Sequence, residues 1–99
     1  MAKPTPYGDS ELRDTINLYF RFIEADRAGT KIGKNSNYKA LEAKYGARKW
    51  TSYMNKCQNI SAVFVALGLP HAKGLKPLGN VGPKLKTIIT GIAHERGLI

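Results

Sequence analysis

Apolar residues recur along this chain at helical spacing and nowhere sustain the spacing of a strand. Leu12, Ile16, Tyr19, Phe20 and Ile23 form one stripe, and Leu18 and Phe22 widen it. The spacing predicts a helix from about Ser10 to Arg27. Asp9 or Ser10 would cap it, Glu11 and Asp14 sit near its positive end, and Gly29 ends it. This is the best core donor in the chain, so its aromatic rings are expected to pack inside. A second, shorter helix is predicted over Asn37 to Tyr45, with Tyr38, Leu41 and Tyr45 inward, Asn35 or Ser36 as cap and Gly46 as stop. Ile60, Val63, Phe64 and Leu67 match i, i+3, i+4, i+7 and predict another helix, capped by Asn59 or Ser61 and closed by Gly68 and Pro70. Between these two, Ala47 to Asn59 mixes cations, aromatics and amides and reads as either a short helix or an irregular turn. Leu69 to Gly79 is a Pro/Gly-broken connector. Pro83 occupies a favoured first helical position, and Leu85, Ile88, Ile89 and Ile92 form the buried stripe of a last helix ending at Gly97.

The expected architecture is therefore all-α, a compact bundle of four or five short helices. Residues 1–9 read as a flexible N-terminal tail and residues 10–99 as a single helical nucleic-acid-binding domain. A chain of 99 residues, 42% hydrophobic, forms one domain with a modest core. Cys57 stands alone, so no internal disulfide is possible, and it is expected as a half-buried small apolar residue. Two histidines and one cysteine give no familiar zinc spacing. Met1 to Gly8 has no apolar run of the kind a signal peptide needs. The longest apolar run, Ala62 to Leu67, is too short to span a bilayer. A cytoplasmic protein with no membrane partner is expected.

Charge changes the picture most. The net charge is +9, yet it is not spread evenly. Residues 28–86 carry eleven Lys/Arg against one acid, Glu42, while the two ends together are close to neutral. Such self-repulsion does not help a fold, and a polyanionic partner is its leading explanation. A solubilising lysine-rich surface is the plainer alternative.

Two segments could make the contact. Leu78 to Leu85 is a turn running into a helix N-terminus, where free N–H groups and the positive end of the helix dipole favour phosphate. Gly79, Asn80, Gly82, Lys84 and Lys86 are the candidates here, with Lys76 just upstream. The stretch partly resembles the hairpin of helix-hairpin-helix DNA-binding motifs, with Asn80 at the first hairpin glycine. The second segment is Arg48, Lys49, Thr51, Ser52, Asn55 and Lys56. Its cations suit phosphates, and its amides and hydroxyls suit base edges. After a tight Gly46 turn it would lie where a helix-turn-helix places its recognition helix. On the plainer reading Trp50 and Tyr53, within it, are core and its cations merely solvated, and Trp50 in particular is expected in the core. The basic region lacks the clustered carboxylates or histidines of a metal nuclease, so no catalytic residue, metal, cofactor or small-molecule substrate is expected.

One longer pattern remains. The runs Cys57-Gln58-Asn59-Ile60-Ser61-Ala62-Val63, Leu67-Gly68-Leu69-Pro70 and Gly74-Leu75-Lys76-Pro77 with Asn80, together with the earlier Tyr19-Phe20 pair, form a recurring order. It resembles the N-terminal helical domain found ahead of HNH-type, restriction-like endonuclease domains in bacteria. The chain departs from that family at Ala47-Arg48-Lys49-Trp50, where an Arg-Ser turn is common, and no HNH motif follows. The resemblance implies a DNA-associated module of a bacterial or phage restriction or defence system, without the cutting domain. Charge and resemblance together lead to a non-enzymatic domain that grips the phosphates of double-stranded DNA, as an accessory or regulator. The alternatives are a protein-interaction module docking onto a nuclease or defence complex, and an RNA-binding protein. Paired stacking aromatics for single strands are not evident.

Overall fold

The computed structural model describes residues 7–79 and 81–99. Among the described residues four helices account for the regular structure: α1 over Asp9–Ala28, α2 over Lys34–Tyr45, α3 over Trp50–Ala66 and α4 over Pro83–Glu95. The all-α expectation holds. No described residue is in a strand.

The start of α1 is more ordered than a loose tail. Tyr7 packs edge-on against Tyr53, with ring centroids 5.8 Å apart, and Gly8 forms the N-cap. Residues 1–6 of the expected tail lie outside the described residues. At the other end Gly29 adopts φ +70°, the left-handed conformation that ends a helix, and Gly46 does the same for α2. Helix α2 begins three residues earlier than its polar cluster suggests, so Asn35 and Ser36 lie inside it and do not cap it. The side chains of Ser36 and Asn37 fold back to donate to the Gly33 carbonyl, at 3.1 and 2.6 Å.

The ambiguous stretch after Gly46 resolves into helix. Only residues 46–49 break the chain, and α3 then runs unbroken through Asn59 and Ser61. Neither residue is a cap, because each has a tertiary partner instead. Ser61 is fully buried and shares a hydrogen bond of 2.8 Å with the Tyr19 hydroxyl. That same hydroxyl accepts from the Ala72 N–H at 2.9 Å, which pins the connector to the core. The start of α3 is supplied by Glu42, the one acid of the basic stretch. Its carboxylate accepts the Trp50 N–H at 3.1 Å, giving an otherwise unpaired terminal donor a partner.

Side-chain pairs fix the helix directions. Glu11 meets Tyr53, Tyr19 meets Ser61 and Phe20 meets Phe64, so α1 and α3 run parallel. Asp14 meets Lys44 while Phe22 meets Tyr38, so α2 runs back between them. Leu12 lies near Leu85, and Arg96 stacks over Phe20, so α4 also follows the direction of α1. Three helix N-termini thus point to the same end of the domain.

The core gathers Ile16, Tyr19, Phe20 and Phe22 of α1 with Tyr38, Tyr53, Cys57, Ile60, Phe64, Leu75 and Ile89. Cys57 is buried completely, not by half, and burial pushes its thiol up to about 12. Tyr38 beside it holds the only buried side-chain oxygen among the described residues with no hydrogen-bond partner. Burial, and then the neighbouring thiol, push its hydroxyl far above the ordinary range. The Cys57 thiol that it meets is a weak hydrogen-bonding group, so Tyr38→Phe is expected to gain up to about 1 kcal/mol, or roughly 4–8 °C of melting temperature. A thermal melt showing a loss of that size would mean the hydroxyl holds a bond.

Candidate nucleic-acid interface

The two cationic segments meet. A groove of about 450 Å³ is lined by Tyr7, Leu12, Arg48, Ser52, Asn55, Lys56, Asn59, Gly82, Lys84 and Leu85. Ser52, Asn55, Lys56 and Asn59 follow i, i+3, i+4, i+7 along one face of α3, so helical geometry alone brings them to one wall. The N-terminal turn of α4 forms the other wall. Among the described residues, no acid lines the groove.

Asn59 builds the junction. Its Nδ2 donates to the carbonyls of Leu78 and Gly79, at 2.7 and 3.1 Å. The Leu78 N–H donates to the Gln58 carbonyl at 3.0 Å. The connector is thereby laid across α3 and delivers the start of α4 to the groove. Gly82 is the N-cap of α4 and offers no side-chain cap, so the first N–H groups of this helix have no acceptor from their cap residue. With Pro83 at the first position, the remaining donors and Lys84 face a wall that carries Lys56.

Lys56 is half-buried and, among the described residues, has no acid partner. Burial, and then repulsion from Arg48, lower its pKa from the ordinary lysine value. Its ammonium lies over the Tyr7 ring, 4.6 Å from the centroid, and the Arg48 guanidinium lies over the same ring at 3.9 Å. The Tyr7 hydroxyl is tied to Ser52, 3.0 Å from its Oγ. Tyr7 thus positions two cations at the groove edge by cation–π attraction.

Arg48 differs from what its sequence context suggests. Its side chain is only 10% exposed, and its Nε and an Nη donate to the two carboxylate oxygens of Glu11 at 2.9 and 3.0 Å. The Tyr53 hydroxyl also donates to Glu11, and the Gly8 N–H reaches its other oxygen at 3.4 Å. Desolvation pushes the Glu11 carboxyl up, but Arg48 and Tyr53 outweigh it, and the net pKa lies below the ordinary value. Arg48 is therefore first a structural cation joining α1 to the α2–α3 turn.

The other candidates divide. Ser52, Asn55, Lys56, Gly82 and Lys84 line the groove with Arg48, whereas Lys49, Thr51, Lys76, Gly79 and Lys86 are exposed and do not line it. Asn80 lies outside the described residues. The helix-hairpin-helix likeness weakens, because the described residues leading into the turn are not helical. Nor do Gly79 and Gly82 require glycine: neither has positive φ, and a Cβ on either meets open space. A recognition helix standing clear of the body is also absent, since α3 packs against α1, α2 and α4. Toward the groove it presents a strip of Ser52, Asn55, Lys56 and Asn59, with Thr51 exposed beside them.

Tyr7, Gln58 and Asn59 are the groove's builders that sequence reasoning missed. Among the described residues there is no group of three potential metal ligands, and no helix is long and apolar enough to cross a membrane. Comparisons of the chain with protein-family models, with curated proteins and with solved structures found no match.

Proposed function

We propose that this domain binds double-stranded DNA through its phosphates, with the groove between α3 and the start of α4 as the grip, and that it does so without catalysis. One observation carries the reading. Two cationic segments distant in sequence converge on a single groove that no described acid lines, and one of its lysines stays half-desolvated without an acid beside it. A solubilising lysine has no reason to lose water. A lysine awaiting a phosphate does, because the incoming anion restores the lost solvation. The uncapped turn of α4 adds backbone donors and the positive end of a helix dipole on the same wall.

Sequence reading would be limited under this geometry. Of the polar uncharged side chains that line the groove, Asn59 holds the connector and Tyr7 and Ser52 bond each other, which leaves Asn55. Phosphate contacts would therefore dominate affinity, with Asn55 as the candidate base reader. The pattern through Asn59-Ile60-Ser61 and Gly74-Leu75-Lys76-Pro77, similar to the helical domain ahead of HNH-type endonucleases, supports an accessory or regulatory role in restriction or defence. In this chain the pattern's residues do structural work that any such role would rely on: Asn59 tethers the connector, while Ile60, Ser61 and Leu75 are buried.

The test is a salt titration of duplex binding. If about four to six phosphates are neutralised, log K falls against log salt with a slope of about −4 to −5. A slope near zero, or no binding at about 50 mM salt, sinks the proposal and favours a protein-interaction module. Equal titrations on single strands and RNA measure the preference for duplex.

A further inference from the structure

A second lysine-lined depression lies at the other end of α1. It has a volume of about 360 Å³ and is bordered by Phe22, Gly29, Lys31, Lys34 and Lys73. Its one described acid, Asp26, is already engaged, accepting the Lys73 N–H at 2.8 Å and so holding the connector against α1. Lys34 lies over the Phe22 ring at 5.5 Å, and its ammonium stands 3.9 Å from where a Cβ on Gly74 would be. Three segments of the chain, the α1–α2 loop, the start of α2 and the α3–α4 connector, thus each bring one lysine to a single concavity. Among the described residues none of these three lysines takes part in an ion pair.

The two cationic concavities are far apart. Leu12 borders the first and Ala25 the second, thirteen positions along a straight helix, which is about 20 Å. They also use different walls: the first lies between α3 and α4, the second beside α2. At about 0.1 M ionic strength a separation of about 20 Å is about twice the Debye length, so the two act as separate phosphate sites. We infer that Lys31, Lys34 and Lys73 form a second phosphate-binding surface, and that the domain bridges two duplex segments. This inference rests on the DNA-binding reading above and adds a second occupant of the same chemistry.

The experiment mixes two short duplexes, one carrying a donor dye and one an acceptor, with the full chain at low salt. Energy transfer between duplexes reports bridging, and anisotropy of one duplex alone reports binding. The wild type should give transfer that peaks near two duplexes per protein and disappears in excess DNA. Lys31→Gln, Lys34→Gln and Lys73→Gln combined should abolish transfer while changing single-duplex affinity by no more than about threefold. Gln keeps the aliphatic stems, and unchanged circular dichroism confirms the fold. Wild-type protein that binds no duplex overturns the DNA-binding reading itself. Protein that binds one duplex but never links two overturns only the bridging. So does a triple variant that bridges as well as wild type, or one that loses single-duplex affinity as much as a groove variant does.

Discussion

Replacing Glu11 with alanine is expected to cost this domain about 3–5 kcal/mol, enough to leave a large share of it unfolded at 37 °C. The reason is what remains behind. Glu11 is 4% exposed, and its carboxylate satisfies Arg48, Tyr53 and the Gly8 N–H together. Removing it strands a guanidinium that is itself only 10% exposed, along with a buried hydroxyl. Urea denaturation followed by circular dichroism measures the loss. A cost below about 1 kcal/mol would show the pair to be solvated and weak. Arg48→Ala should destabilise similarly, since it strands the carboxylate. The double replacement Glu11→Leu with Arg48→Met should recover part of the loss, because the two apolar side chains need no partner while the Tyr53 hydroxyl still lacks its acceptor.

The same pair sets a direction for acid sensitivity. The folded pKa of Glu11 lies below its unfolded value. Its contribution to stability is therefore fully present above the unfolded value, about 4.3, and is lost as the pH falls through the folded pKa. Wild-type stability should drop below about pH 4 more steeply than that of the double variant, Glu11→Leu with Arg48→Met. For DNA binding the consequence is practical. A weakened Arg48→Ala variant reports the fold as well as the groove and cannot by itself assign a phosphate contact.

The parts of this fold that were legible are those decided by local physics. Helix α1 differs by one residue at each end from its apolar stripe and its stopping glycine, because a long amphipathic pattern and a left-handed glycine need no distant partner. Helix α3 was not legible as one helix. Asn59 and Ser61 look like caps in a window of a few residues, yet their partners are Leu78, Gly79 and Tyr19. Glu11 looks like an acid placed for the helix dipole, and its main partner lies 37 positions away. The candidate interface followed the same rule. Its cations stand out in the sequence, but their convergence depends on parallel packing of α1, α3 and α4 and on the Asn59 tether. The opposite fates of Arg48 and Lys56, one neutralised inside and one left without an acid at the groove, are visible only once Glu11 is placed.

That contrast supplies the sharpest test of the groove. Lys56→Ala combined with Lys84→Ala should weaken duplex binding by about 10- to 100-fold, the loss of two charge-assisted contacts, and should do so about equally for all sequences. The salt slope should become shallower by about 2, near 1 for each lysine removed. A matched pair of exposed cations away from the groove, Arg13 and Arg27, should change affinity and slope far less when replaced. Lys56 adds a readout that a generic charge effect does not share. Its pKa is lowered by folding, so the unfolded chain binds the proton more tightly, and at neutral pH its charge works against the folded state. Lys56→Met should therefore raise the melting temperature while lowering affinity, a trade expected of a residue kept for binding. Binding should also weaken with rising pH earlier than an ordinary lysine would dictate, because the free domain gives up the Lys56 proton sooner and must regain it to hold phosphate. If Lys56→Met destabilises the fold, or if the Arg13 and Arg27 replacements cost as much affinity as the groove lysines, the charge acts diffusely and the groove is not the grip.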